Sequence, residues 1–219
     1  MRHLVVIADI IASRQLPDRD QVQRRLRESL EARNQAHARG DLLSPYTLTL
    51  GDELQAVPAG AQGVFHDLLQ VAADLAPVAF RFALGLGGID TAINPEQAIG
   101  MDGSAFHLAR DGIEWLKEDG GHCRVEGLAG TEAALVNHGL ALAFGRLAGG
   151  RGSRLPLAAG LLAAEPIAEI ADRLGRTEQT LYKTARTADL YALAGFLQAV
   201  EALLDAQLSA GAATAAGRP

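Results

Sequence analysis

Residues 4–11, LVVIADII, are apolar and β-branched on both faces of any strand they form, and this run decides the fold. Such a strand is stable only when covered from both sides, so it must lie inside a sheet with helices around it. Working outward, residues 18–39 open with Asp18 as an N-cap, place Val22, Leu26 and Leu30 at helical spacing, and stop at Gly40. YTLTL (46–50) and ELQAV (53–57) read as short strands joined by the Gly51-Asp52 turn, a β-hairpin. A helix from Ala61 to Leu75, closed by Pro77, and a strand over 78–86 complete the order βαββαβ.

A helix near 104–118, a short strand in HCRVEG and a helix near 131–147 follow, after which no strand pattern returns. Gly- and Arg-rich residues 149–154 suit a boundary. The expected organisation is an α/β domain over 1–148, a helical region over 149–208 and a flexible tail over 209–219.

Composition narrows the function classes. The single cysteine, Cys123, excludes an internal disulfide framework and a multi-cysteine zinc site, and fits a reducing compartment. The apolar start is too short for a membrane span or a signal segment, so a cytoplasmic location without membrane partners is expected. A net charge of −6 argues against coating nucleic acid by bulk charge, which leaves only a local basic face for such contact.

Handedness of the crossover makes strands one and two parallel, so strand three runs antiparallel to strand one. If these two strands are neighbours, the hairpin tip carries Asp52 to the end of strand one, where Asp9 sits. Two hard oxygen ligands suit Mg²⁺ or Mn²⁺, which would also gather nucleotide phosphates. The plainer alternative, a strand-end aspartate and a turn aspartate with no common ligand, stays open.

Three blocks, VVIADIIASR, TLTLGDELQAV and FRFALGLGGIDTAINPEQAIGMDGSAFHLAR, resemble those of the SatD family over most of residues 4–115. They more distantly resemble class III nucleotidyl cyclases. That likeness implies a ferredoxin-like, cyclase-like palm domain with Asp9 and Asp52 at the positions of its two metal-binding aspartates. It also implies departures. The cyclases' paired Asn and Arg fall here on His107 and Asp111, with Arg110 one place away, and their substrate-reading Lys falls on Leu48. Losing positioned cations lowers phosphoryl-transfer rates by orders of magnitude, so the likeness implies architecture more than activity.

Further phosphate contacts are expected from Ser13 and Arg14, and from Asp102 and Gly103 at a helix start; the resemblance alone implies His107 and Arg110 as well. For each, a plain surface or turn role is the alternative. Gly85, Gly87 and Gly88 match a Gly-rich phosphate motif poorly, the six histidines lack ligand spacing, and Trp115 is expected in the core.

Residues 167–186, IAEIADRLGRTEQTLYKTAR, read as a helix-turn-helix, with Ile170, Ala171 and Leu174 inside, Gly175 at the turn, Thr177 as cap and Leu181 packing back. In a DNA-reading version Glu178, Gln179, Thr180 and Lys183 would reach bases, and Arg176, Tyr182 and Arg186 phosphates. An ordinary helical hairpin is the alternative. Beyond it, Leu190, Leu193, Leu197, Val200, Leu204 and Leu208 form an apolar stripe, for packing within the chain or for a homodimer. The leading expectation is a metal- and nucleotide-binding regulator with a DNA-binding helix-turn-helix. A nucleotidyl-transfer enzyme with a helical assembly module is the rival, and a scaffold without its ligand the third.

Overall fold

The computed structural model describes residues 1–38, 40–49, 51–148 and 153–216, with side chains as far as residue 210. Five strands form one sheet in the order β2-β3-β1-β4-β5, where β1 is His3–Ile10, β2 Leu42–Thr49, β3 Glu53–Pro58, β4 Phe80–Gly87 and β5 Cys123–Glu126. β1 is antiparallel to both neighbours and β4 is parallel to β5. The βαββαβ order and the central place of the first strand are therefore as its two-faced apolar run requires.

Alternation along β1 sends Leu4, Val6, Ala8 and Ile10 to one face and Val5 and Ile7 to the other. The first face is covered by α1 (Arg19–Ala36) and α2 (Val64–Leu75), the second by α3 (Ser104–Asp119). Asp18 caps α1 by accepting from the Gln21 amide at 2.9 Å. α2 starts at Val64, later than the expected Ala61, because Gly63 takes a left-handed conformation (φ 79°) and turns the chain there. β2 is longer than YTLTL, beginning at Leu42; register shifts around Pro45 accommodate that proline, and β2 is an edge strand that tolerates it.

α4 (Gly130–Ala148), α5 (Arg154–Leu162), α6 (Ile167–Leu174), α7 (Glu178–Thr187) and α8 (Leu190–Ala216) complete the chain. Residues 149–152, most of the expected boundary, lie outside the described residues. The apolar side chains of α5 to α8 join the same buried cluster as the inner face of the sheet, from Leu157 through Ile170 and Leu181 to Leu204. Leu190, Leu193, Leu197, Val200 and Leu204 are buried there, so the stripe packs within the chain. The α8 backbone stays helical to Ala216, past the expected end at Leu208, in keeping with the helix propensity of its alanines. Trp115 is 40 % exposed, not core, with the Arg124 guanidinium 3.9 Å above its ring. Among the described residues no single helix is long and apolar enough to cross a membrane.

Candidate functional site

Register builds the first site. Asp9 lies opposite Glu53 on β3 and opposite Arg81 on β4, while the Ile10 amide donates to the Asp52 carbonyl at 3.2 Å. The hairpin tip thus reaches the end of β1, and Asp9 and Asp52 belong to one corner of the sheet. Asp9, Glu53 and Arg81 share the strand face of Ile7, Val57 and Ala83, toward α3.

Arg81 Nη1 donates to Asp9 Oδ2 at 3.3 Å, and its Nε donates to the Leu116 carbonyl of α3 at 3.3 Å. Burial raises the Asp9 pKa above the ordinary aspartate value; Lys117 and Arg81 oppose the shift, and Asp52 and Glu53 reinforce it. Ser13 is buried and its hydroxyl donates to Asp52 Oδ2 at 2.5 Å. The residue before it, Ala12, is left-handed (φ 54°, ψ 36°), a conformation that costs an L-residue about 1–2 kcal/mol and here aims the short 3-10 turn Ser13–Gln15 at the hairpin. Arg14 is exposed on that turn.

As a donor set, Asp9, Asp52 and the Ser13 hydroxyl are hard oxygens suited to Mg²⁺ or Mn²⁺. Among the described residues no group of three His, Cys, Asp or Glu is arranged to hold a metal, so a bound ion would take its remaining ligands from water or phosphate.

The second group of expected phosphate contacts lies elsewhere. Gly103 precedes α3 beside Gly88, at the end of β4 that pairs with His3. Six residues of β1 separate His3 from Asp9, about 20 Å at the usual strand rise. Asp102, Gly103 and His107 therefore do not join Asp9 and Asp52 within this chain. Asp102 Oδ1 accepts from the Gly103 amide at 2.9 Å and contacts His107 Nε2 at 2.7 Å; the amide bond first, then His107, lowers its pKa. The carboxylate thus takes the amide that a phosphate would have used. Arg110 is exposed one turn further along α3.

Gly85 and Gly87 serve the same helix. A Cβ on Gly85 would stand 2.0 Å from the Ala105 carbonyl oxygen, and one on Gly87 2.7 Å from the Ala105 amide. Their freedom from a side chain lets α3 cross β4 at contact distance rather than making room for a ligand.

Sequence reasoning missed Arg81 and Lys117. Arg81 is Asp9's neighbour only through the β1–β4 pairing, and Lys117 reaches the corner only because α3 ends there.

The third region is α6 and α7. Gly175 ends α6 in a left-handed conformation, with the Arg176 amide bonded to the Ala171 carbonyl at 2.9 Å and the Gly175 amide to that of Asp172 at 3.2 Å. Thr177 caps α7 by accepting from the Thr180 amide at 3.3 Å. Ile170, Ala171, Leu181 and Ala185 are buried between the helices and the rest of the chain. Arg176, Thr177, Gln179, Thr180, Lys183 and Arg186 are exposed, and Gln179, Tyr182, Lys183, Arg186 and Thr187 line one shallow groove. Among the described residues neither Lys183 nor Arg186 forms an ion pair.

Comparison with known proteins follows this geometry. The model of the SatD family matches residues 3–132. A solved structure of a bacterial light-regulated adenylyl cyclase is similar at 13 % identity and a TM-score of 0.35, over 57 % of this chain and 43 % of that one. The chain thus spans less than half of the cyclase structure. No curated protein matches the chain.

Proposed function

Because the chain belongs to the SatD family, whose match covers β1, the hairpin and α3, we propose that its Asp9–Asp52 corner binds a metal-chelated nucleotide or related phosphate ligand. The observation that carries this reading is the register: Asp9 sits beside Asp52 and Glu53 at one sheet corner, with Arg81 and Lys117 next to it. Asp9 and Asp52 would hold Mg²⁺ or Mn²⁺, Ser13 would fix the Asp52 carboxylate, and Arg81, released from Asp9 by the ion, would turn to phosphate oxygens. The metal would supply charge neutralisation for those phosphates. Binding of nucleoside triphosphates titrated with and without Mn²⁺ tests this; metal-independent binding, unchanged in Asp9→Asn, would refute it.

The same reading makes the protein a regulator that contacts DNA through α7. Its support is the exposed, unpaired Lys183 and Arg186 in one groove with Gln179, on a helix capped by Thr177. Gly103 and His107, at the start of α3, lie at the opposite end of β4 from Arg81, which favours binding over turnover, since they do not reach the metal corner within one chain. Nucleotidyl transfer remains the rival reading, and turnover in the same titration would establish it.

A further inference from the structure

α4 is apolar on the side that faces away from the core as well as on the side that joins it. Val136, Leu140, Phe144 and Leu147 are buried, yet Leu135 and Leu142 are 69 % and 77 % exposed. Between Glu132 and Arg146 the helix carries no Asp, Glu, Lys or Arg. A helix apolar all round belongs in an interior. Here its outer side is open among the described residues, with Ala134, His138 and Ala141 exposed beside the two leucines.

This helix forms the margin of the sheet. β5 is an edge strand, and Asn137 of α4 closes that edge by accepting from the Val125 amide at 2.8 Å and donating to its carbonyl at 2.9 Å. Val125 is therefore not free to take another strand, and what the molecule offers at this margin is a helix face. On one shoulder that face runs into a groove shared by Ala134, His138 and Ala141 with Trp115 of α3.

Spacing along the helix says what fits it. Thr131, Leu135, His138 and Leu142 recur at intervals of four, three and four, the repeat of two helices packed along a seam. The pattern is also self-complementary. Reversing the helix about His138 exchanges Leu135 with Ala141 and Ala134 with Leu142, so in a two-fold antiparallel pair each leucine lies over an alanine of the second copy. Glu132 and Arg146 are two heptads apart on the other shoulder, and the same reversal brings Glu132 within one turn of Arg146 of the second copy. A parallel pair would instead set like ends and like helix dipoles together, so charge selects the antiparallel one. Within the chain Glu132 accepts from Gln207 at 3.1 Å, and Arg146 donates to Asp189 and to the Ala188 carbonyl. A carboxylate and a guanidinium each have atoms to spare for a second partner.

We propose that the outer face of α4 is a homodimer contact, in which two copies of the chain pack this helix antiparallel about His138. The apolar stripe of α8 is buried within the chain and cannot serve the same purpose. A face running from Thr131 to Arg146 is about 24 Å long and one helix wide, at the low end for a specific interface, so the dimer is reversible.

The test is sedimentation velocity of the full chain from about 1 to 200 µM, a range in which association with a dissociation constant on the order of 10 µM passes from monomer to dimer. Leu135→Glu combined with Leu142→Glu should hold the protein monomeric throughout. Both side chains are exposed, so its urea midpoint at the lowest concentration should match that of the wild type. Glu132→Arg and Arg146→Glu should each weaken the dimer about tenfold by meeting like charge. An equimolar mixture of these two variants should recover wild-type affinity, because each then meets opposite charge on the other. The contacts to Gln207 and Asp189 stay lost in the mixture, so recovery comes only from pairing between chains. A chain that is monomeric throughout leaves the face to a different protein and overturns the proposal. A dimer untouched by the two leucine changes, or no recovery in the mixture, would overturn it as well.

Discussion

The Glu201 carboxylate of α8 accepts a hydrogen bond from the Phe65 amide at 3.0 Å, capping the first turn of α2 from a helix 136 residues away. Gly63, at the N-cap, has no side chain to do so. Asp205 takes the Ala61 amide one turn along α8, and Arg2, just before β1, donates to Gln207 Oε1 at 3.0 Å. These bonds fix the helical region to the sheet in addition to the shared core, so a change at one is mechanically connected to the other.

Removing the Glu201 cap should destabilise the whole chain. Glu201→Ala leaves the buried Phe65 amide unpaired, a loss of about 1–3 kcal/mol in urea unfolding. Burial raises the Glu201 pKa above the ordinary glutamate value, so between the unfolded and folded values the native state binds more protons. Its contribution to stability is therefore greatest below the unfolded pKa and declines as pH rises through the folded one. Glu201→Gln keeps an acceptor oxygen without that charge. It should gain on the wild type as pH rises above the ordinary glutamate pKa and through the raised folded one, and parallel pH profiles of the two proteins would contradict the assignment.

Gly85→Ala tests the approach of α3 to β4. The added methyl would overlap the Ala105 carbonyl and stand 2.6 Å from the Ala109 amide, both backbone atoms that cannot rotate away. Overpacking of this kind costs about 1–3 kcal/mol or more, and the thermal midpoint should fall accordingly. Gly145→Ala, with nothing within 4 Å of its Cβ, is the matched control and should be tolerated.

Particular residues show why part of this was legible in the sequence. Local patterns carried the central β1, the Asp18 and Thr177 caps and the Gly175 turn, because each is set by spacing within a few residues. The neighbourhood of Asp9 and Asp52 followed from crossover handedness and the Gly51-Asp52 turn once β1 and β3 pair, as they do. Arg81 did not, since its partner is chosen by strand order across 72 residues. The outward place of Trp115 also escaped, because an indole at helical spacing looks apolar until Arg124 covers it. Asp102 was marked as a phosphate contact by its place before a helix and His107 by family resemblance, whereas α3 runs back along β4 and leaves its start at the opposite end of the sheet from Asp9.

Metal-dependent binding at the first site should depend on pH in a direction set by Asp9. Its pKa is raised, so protons compete with the metal at pH values where an ordinary aspartate is fully ionised. Mn²⁺-dependent nucleotide affinity should accordingly fall as pH is lowered, beginning above the ordinary aspartate range near about 4. Asp9→Asn should weaken it at least about tenfold at all pH values, with the unfolding midpoint little changed because the side chain is a strand-end group. Arg81→Ala should weaken nucleotide more than it weakens Mn²⁺ alone. A larger loss of Mn²⁺ affinity than of nucleotide affinity would assign Arg81 to orienting Asp9 instead.

DNA binding through α7 should show in its salt dependence. A lysine or arginine on a phosphate releases roughly one condensed counterion, so Lys183→Ala and Arg186→Ala should each reduce the slope of log affinity against log salt by about 1. Gln179 lines the same groove but carries no charge. Gln179→Ala should therefore leave the slope intact and change preference among sequences, if it reaches a base edge. Arg176 is a sharper control, since its amide already closes the α6 turn on Ala171 while its side chain is exposed. Arg176→Ala should alter only the slope, without unfolding the turn. Fluorescence anisotropy of full-length protein on random-sequence duplexes, over about 50–200 mM salt, measures all four. A full chain with no salt-sensitive binding in that range, with or without Mn²⁺ and nucleotide, would make α6 and α7 a packing unit for α5 and α8 and end the DNA reading.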